Sequence, residues 1–381
     1  MIPIPHTREM IAQLIATPSV SCSHAHLDMS NKAVIELIAG WCEPLGFDCE
    51  IQTVNGTKFN LIARAGRGSD GLVLSGHTDT VPCDPSLWQS DPYEASERDG
   101  LIYGLGSCDM KSFLALALTA STRFDLSKLQ RPLTIVATAD EESTMDGARL
   151  IADNGEKLGR HCIIGEPTGL TPIRQHKGVL SLSIEYTGRS GHASNPALGN
   201  SALEGIHLLM GELLKYRDQM QHQYNDPAFV IPTPTMNLGH IHGGDNSNRI
   251  CGACTLLIDI RYLPQMSLDS LRADIEQLVA DVAGARGLKF TTAMLGQGLP
   301  AMDTSEASEI AQFLSHHTGK KATSAGFGTE APYFNAMHTE TIVIGPGSID
   351  QAHQPDEFLP IDQIDPTITM LESVIHQFCQ R

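Results

Sequence analysis

Histidines and carboxylates recur along this 381-residue chain at points where a short apolar run gives way to a turn. In Leu72-Val-Leu-Ser-Gly-His77-Thr-Asp79 the run places His77 at the carboxyl end of a buried strand, and period-two geometry puts Asp79 on the same side. A neutral imidazole can bind a metal through one nitrogen and give its other N–H to a carboxylate, which fixes the tautomer. The pair reads equally well as a turn histidine bonded to a nearby aspartate. Asp109, in Gly104-Leu-Gly-Ser-Cys-Asp109-Met-Lys, follows a strand-like Leu101-Ile-Tyr, which would place it at the same carboxyl edge of the sheet, and precedes an apolar helix; it either caps that helix or bridges metals. Glu141 and Glu142 follow Leu133-Thr-Ile-Val-Ala-Thr-Ala-Asp. Adjacent side chains point in different directions, so one can ligate a metal while the other stays available as a base. Like charges at a strand mouth call for a cation or a raised pKa. Glu166, in Ile163-Ile-Gly-Glu-Pro-Thr, and His353, after Thr341-Ile-Val-Ile-Gly, complete the set. Singly each has an ordinary reading as a loop residue; together they put ligand-type groups after strand-like segments again and again.

The elements that must position these groups follow from periodicity. Residues from Arg8 to about Gly46 carry apolar positions at helical spacing, including Val34, Leu37, Ile38 and Trp41, with Gly46 placed to close the helix. Asn60–Arg64, Gly71–Ser75, Leu133–Thr138 and Cys162–Gly165 are short branched runs suited to strands buried on both faces. Ser112–Ala120 predicts a buried helix. The last hundred residues resume the pattern with a helix near Ile310–Ser315, a strand at Thr341–Ile344 and a closing helix from about Pro366 to Phe378. This alternation predicts an α/β fold with a central, mostly parallel sheet. The middle differs: strand at Val179–Tyr186, helix at Asn200–Tyr216, strand at Cys251–Arg261, helix at Leu268–Ala283 and strand at Leu288–Leu295. That order predicts a smaller inserted α+β, ferredoxin-like domain over 179–295, with 1–178 and 296–381 forming the larger domain.

Composition bounds the partners. The length exceeds what one core of roughly 250–300 residues holds, and hydrophobic residues at 41% with charged residues at 18% are globular values. A net charge of −18 argues against nucleic acid, whose phosphates need a basic face. No apolar run is long enough for a membrane span. Met1-Ile-Pro-Ile-Pro-His lacks the basic and apolar segments of a signal peptide, and nine scattered cysteines fit a reducing compartment, so a cytoplasmic location is expected. Cys251-Gly-Ala-Cys254 has redox spacing, but on a strand positions three apart face opposite ways, so both thiols are expected to pack.

The segments His77-x-Asp79, Gly-x-Gly-Ser-Cys-Asp109-Met-Lys, Glu141-Glu142, Gly-Glu166-Pro-Thr and Ala-His353-Gln-Pro-Asp-Glu, in this order and context, resemble the zinc aminoacylase, carboxypeptidase and desuccinylase family of metallopeptidases. The resemblance implies a zinc-peptidase-like catalytic domain and an inserted domain serving as lid and dimerisation module. It implies two Zn²⁺, replaceable by Co²⁺, one held by His77, Asp109 and Glu166 and the other by Asp109, Glu142 and His353. Two Zn²⁺, three carboxylates and one hydroxide sum to a neutral cluster, and oxygen and nitrogen donors keep the ions Lewis acidic.

By the same resemblance Glu141 is the base, Asp79 orients His77, and His192 in Arg189-Ser-Gly-His192-Ala-Ser stabilises the oxyanion from a neighbouring subunit. Arg261 matches the family's carboxylate binder, with Asn248, Gly328 and Thr329 as helpers. Segments outside the ligand set, among them Leu238-Gly-His-Ile-His-Gly-Gly-Asp and Thr329-Glu-Ala-Pro, resemble the branch that removes small acyl groups from the α-nitrogen of amino acids. Glu330 is a candidate for reading a substrate's side-chain ammonium. A homodimer acting on a small N-acyl amino acid is therefore expected. A desuccinylase or dipeptidase of the same family is the near alternative, and a non-catalytic metal-binding protein the distant one. A Ser190–His192 nucleophilic pair lacks the strand-to-helix elbow such chemistry uses.

Overall fold

The computed structural model describes residues 4–380; Met1–Pro3, part of the N-terminal segment considered above, and Arg381 lie outside the described residues. The chain divides into two compact units. The first comprises residues up to Arg174, Thr304–Thr323 and Thr329 onward; the second comprises Gln175–Asp303 and Ser324–Gly328. The second unit thus takes in the 179–295 segment together with residues 175–178, 296–303 and 324–328.

In the first unit the sheet runs, edge inward, Asp48–Asn55, Lys58–Ala65, Leu133–Thr138, Leu72–His77, His161–Ile164 and Glu340–Val343. The last four are mutually parallel, with Leu72 opposite both Leu133 and His161. Every residue of Leu72–His77, Leu133–Thr138 and His161–Ile164 is buried, as expected of parallel strands covered on both faces. Their shared direction brings His77, Thr138 and Ile164 to one edge. The helix Lys111–Ser121 is buried along nearly its whole length and packs with Thr7–Ile15 and Ile364–Ile375 around the Leu72, Leu114, Ile135 and Ile163 core.

Two expectations need correction here. The helical stretch read from Arg8 to Gly46 is two helices, Thr7–Ile15 and Lys32–Leu45, because Pro18 and the polar residues up to Asn31 interrupt the apolar spacing. Gly46, at φ 98°, closes the second of them in the left-handed conformation. The strand-like Leu101–Tyr103 stands outside the central sheet, pairing with Ser96–Arg98 and Phe358–Pro360.

In the second unit a four-stranded antiparallel sheet has the order Thr235–Gly243, Ala253–Tyr262, Gly178–Thr187, Lys289–Met294. Helices Ala202–Gln223 and Leu268–Arg286 contribute Ile206, Leu209, Leu213, Ile275 and Val279 to a core with Leu180, Leu182, Ile184, Leu256, Ile258 and Ile260. Strand, helix, strand, strand, helix, strand is the ferredoxin-like order. The strand Thr235–Gly243 was absent from the sequence reading because it is an edge strand whose outer half, Gly239–His242, is exposed or nearly so and carries two histidines in place of branched apolar residues. Cys251 precedes the strand that begins at Ala253, and its thiol donates to the Ala253 carbonyl at 3.0 Å; both it and Cys254 are free and buried.

Candidate metal centre

The parallel edge of the first unit gathers the histidines and carboxylates from distant parts of the chain. His77 is the last residue of its strand and is buried. Its Nδ1–H donates to the backbone carbonyl of Asp79 at 3.0 Å, which leaves Nε2 facing Asp109 Oδ1 at 3.1 Å and Glu166 Oε1 at 3.8 Å. The orienting partner of the ring is thus foremost a carbonyl; the Asp79 carboxylate is 3.7 Å from Nδ1. That carboxylate instead accepts the backbone N–H groups of Glu141 at 3.3 Å and Glu142 at 3.1 Å, fixing the turn that carries both glutamates.

Asp109 precedes the helix Lys111–Ser121, whose N-cap position is Met110, and no side chain caps it, so the capping reading of Asp109 fails. Its position also differs from the expected sheet edge, since it follows a strand of the small sheet. The peptide between Asp109 and Met110 is cis. While Oδ1 faces His77, Oδ2 lies 3.8 Å from Nε2 of His353, and that nitrogen is 2.9 Å from Glu142 Oε2. Ligand atoms of His77, Asp109 and Glu142 all fall within 4.8 Å of one another.

Burial raises Asp79 to about 6 and Glu330 to about 7. Burial, with repulsion from Glu166, Glu142 and Glu330, holds Glu141 well above the ordinary carboxyl range; Glu166 is raised likewise by burial and by Asp109. For Asp109, burial is outweighed by the hydrogen bond and charge of His77, which hold its carboxyl below the usual value. Burial would lower His77, but Asp109, Glu166 and Glu141 raise it well above an ordinary imidazole. So many carboxyls at one place strain to share too few protons, and a multivalent cation relieves that strain. Glu166 Oε1 is buried with no hydrogen-bond partner, a donor atom directed at the same space. The nearby Cys108 is pushed well up by burial and its thiol donates to the Ser348 carbonyl, so it offers no thiolate. An oxygen and nitrogen donor set with an orphaned carboxylate oxygen fits one or more divalent metal ions.

Residues that sequence reasoning missed support the glutamate turn. Lys58, buried, bridges Asp28 at 2.7 Å and Asp140 at 2.9 Å, and Asp140 Oδ1 also accepts from Ser21. Asn60 accepts from the Ala139 N–H and donates to the Gly147 carbonyl. The only sequence signal was Asn60 within a strand that otherwise reads apolar. Thr329 and Glu330 are buried in the first unit, where Glu330 Oε2 accepts from Thr138 at 2.9 Å and Thr329 Oγ1 caps the Ala331 N–H. A fully buried Glu330 cannot meet a substrate ammonium from solvent as it stands.

Of the remaining expected site residues, His192, Asn248, Arg261 and Gly328 belong to the second unit. His192 is exposed with Nδ1 2.8 Å from Ser194 Oγ; Asn248, also exposed, accepts the Ala193 N–H through its backbone carbonyl at 2.9 Å. Arg261 pairs with Asp259 at 2.8 Å.

Comparison with known proteins adds four findings. The description "Peptidase family M20/M25/M40" matches residues 73–377. An acetylornithine deacetylase from Edwardsiella ictaluri is 47% identical over 370 residues, covering 97% of this chain and 96% of that protein. Among solved structures, aminopeptidase PepT from Bacillus cereus superposes with a TM-score of 0.76 at 17% identity over 98% of each chain. A dinuclear metal binding peptidase from Bacillus subtilis superposes at 0.66 and 15% identity, over 97% of this chain and 96% of its own.

Proposed function

Because the chain belongs to peptidase family M20/M25/M40 and is a metal-dependent hydrolase, we propose that it removes the acetyl group from N2-acetyl-L-ornithine, giving L-ornithine and acetate for arginine biosynthesis. The observation that carries the chemistry is the single carboxylate of Asp109 presenting one oxygen to His77 and the other to His353. The substrate rests on the deacetylase relative, alike over nearly the whole of both chains.

In this reading His77, Asp109 and Glu166 would hold one zinc ion and Asp109, Glu142 and His353 a second, with Co²⁺ as a substitute. Such a pair, when bound, polarises the acyl carbonyl and acidifies a water. The remaining work belongs to the chain. Glu141, adjacent to a ligand yet with its backbone pinned by Asp79, takes a proton from the attacking water on its carboxylate and returns it to the leaving nitrogen as the C–N bond breaks. Burial already favours the protonated form it passes through. Asp79 holds His77 and the glutamate turn in register. Arg261 binds the substrate α-carboxylate, assisted by Asn248, Gly328 and Thr329, and His192 supplies a donor for the oxyanion. A homodimer in which His192 serves the partner's site, and a cytoplasmic location, belong to the same proposal; among the described residues all nine cysteines are free and no helix is long and apolar enough to cross a membrane.

Release of free amine from N2-acetylornithine, other N-acetyl amino acids, succinyl-diaminopimelate and dipeptides, with and without chelator, tests it. The expected result is chelator-sensitive turnover with acetylornithine preferred in kcat/KM. Preference for the succinylated substrate or a dipeptide would assign the same site to the neighbouring activity.

A further inference from the structure

Glu357 has no part in the scheme above, although it closes the Ala352-His353-Gln-Pro-Asp-Glu357 segment. Its carboxylate is buried, and both oxygens are engaged by one turn. Oε1 accepts the backbone N–H groups of Cys108 at 2.7 Å and Asp109 at 2.9 Å, and Oε2 accepts that of Gly106 at 2.9 Å. The Gly104 N–H donates to the Glu357 backbone carbonyl at 3.0 Å. The turn from Gly104 to Asp109 belongs to no helix or strand, so its buried N–H groups need partners from elsewhere, and Glu357 provides them.

The turn has little freedom to shift. Gly106 sits at φ 78°, and a Cβ there would meet Lys111 Cε at 2.8 Å and Thr80 Cγ2 at 2.9 Å. Lys111 is itself buried, its ammonium donating to the Thr17 carbonyl at 3.0 Å while its charge faces Glu357 and Asp79. Directly after Glu357, Phe358–Pro360 pairs with Leu101–Tyr103, Phe358 opposite Tyr103, which locks the two segments in register. One stretch of chain therefore carries His353 and, four residues on, the anchor for the backbone of Asp109.

We propose that Glu357 is a positioning residue which, by holding the Gly106–Asp109 turn through three backbone hydrogen bonds, presents both oxygens of Asp109 to the metal pair. This rests on the reading of Asp109 as the shared ligand. Groups that orient metal ligands are worth roughly 10- to 100-fold in metal affinity.

The test is calorimetric titration of Zn²⁺ into chelator-stripped protein for wild type, Asp109→Asn, Glu357→Ala and Glu357→Gln, with circular dichroism and the Tm of each stripped protein. Glu357→Ala should weaken Zn²⁺ binding by roughly 10- to 100-fold while the stripped protein stays folded. Glu357→Gln should fall between it and wild type, because the amide oxygen can still accept from Cys108 and Asp109 while the amide N–H₂ opposes the Gly106 N–H. Where the alanine variant does not fold, the glutamine variant decides. A Glu357→Gln affinity within twofold of wild type, whether or not its Tm falls, overturns the proposal and leaves Glu357 a purely structural group. Wild-type affinity in Asp109→Asn would sink the metal reading itself, whereas a weakened Asp109→Asn beside an unaffected Glu357→Gln sinks this inference alone.

Discussion

In the first unit Asp79, Asp109, Glu166 and Glu330 are buried, several with perturbed protonation, and Glu166 and Glu330 each have an oxygen lacking any partner. In the second unit His192, Asn248 and Arg261 are exposed; the His192 and Arg261 side chains have local partners in Ser194 and Asp259, and the Asn248 backbone carbonyl accepts the Ala193 N–H. The first arrangement costs folding energy wherever a buried charge lacks compensation, so the fold has assembled it at the expense of stability and its chemistry is visible in its own surroundings. The second costs nothing to keep in solvent, and its residues acquire a role only when a ligand meets them. Substitutions in the two regions should therefore fail in different ways.

The largest effect is expected inside the buried cluster. Glu141→Gln should keep its metal and lose kcat by roughly 10²- to 10⁴-fold, while Glu142→Gln should lower metal content, as measured by elemental analysis of the two proteins after identical dialysis. Identical metal content and identical rates in both would erase the distinction between base and ligand. In the exposed region His192→Ala should cost roughly 10²- to 10³-fold in kcat, with metal content and Tm unchanged. Arg261→Ala should act chiefly on KM, by roughly tenfold or more for the loss of a charge-assisted contact. A drop of many degrees in Tm for either variant would break the contrast, because it would give these side chains a structural share that their exposure denies.

An effect on stability alone, with none on turnover, separates burial from chemistry. His161 lies in the sheet core with neither ring nitrogen hydrogen-bonded and the Glu340 carboxylate 3.2 Å from Nδ1; burial, aided by Arg160, lowers it to about 4. The unfolded chain, with an ordinary histidine near 6.5, takes up the proton first as pH falls. Stability from neutral His161 is thus complete above about pH 6.5 and lost as pH drops from there toward 4, by about 3 kcal/mol. Thermal melts of His161→Gln should lose that part of the slope between pH 7 and 4. An unchanged slope would show that His161 titrates alike in the folded and unfolded chain, and an opposite change would show that Glu340 pairs with a charged ring.

Much of this was legible in the sequence, for reasons that are local. His77 and the Glu141-Glu142 pair stand just beyond the short runs Gly71–Ser75 and Leu133–Thr138, which became the strands Leu72–His77 and Leu133–Thr138. The inserted fold was legible from its helices and inner strands, whereas Thr235–Gly243 was not, since an exposed edge strand carries little apolar signal. Asp109 was expected beside a central strand that proved to belong to a small separate sheet. The supports were invisible for a different reason: Glu357 reaches three backbone N–H groups some 250 positions earlier, atoms every residue possesses, so no residue type at the far end announces them, and Lys58 and Asp140 pair across a sequence separation that no local pattern links. For His192 and Arg261 the resemblance to a family, and not their local setting, suggested a role.

Two metal ions held by His77, Asp109, Glu142, Glu166 and His353 are proposed to drive hydrolysis of the amide. The most direct test is to strip the protein with chelator, add Zn²⁺ stepwise, and follow amine release from N2-acetylornithine against bound metal per chain. Activity should be absent in the stripped protein, return on addition of metal and level off near two ions per chain. Full turnover in metal-free protein, or tight binding of two ions with no hydrolysis of any N-acyl amino acid, would contradict that proposal.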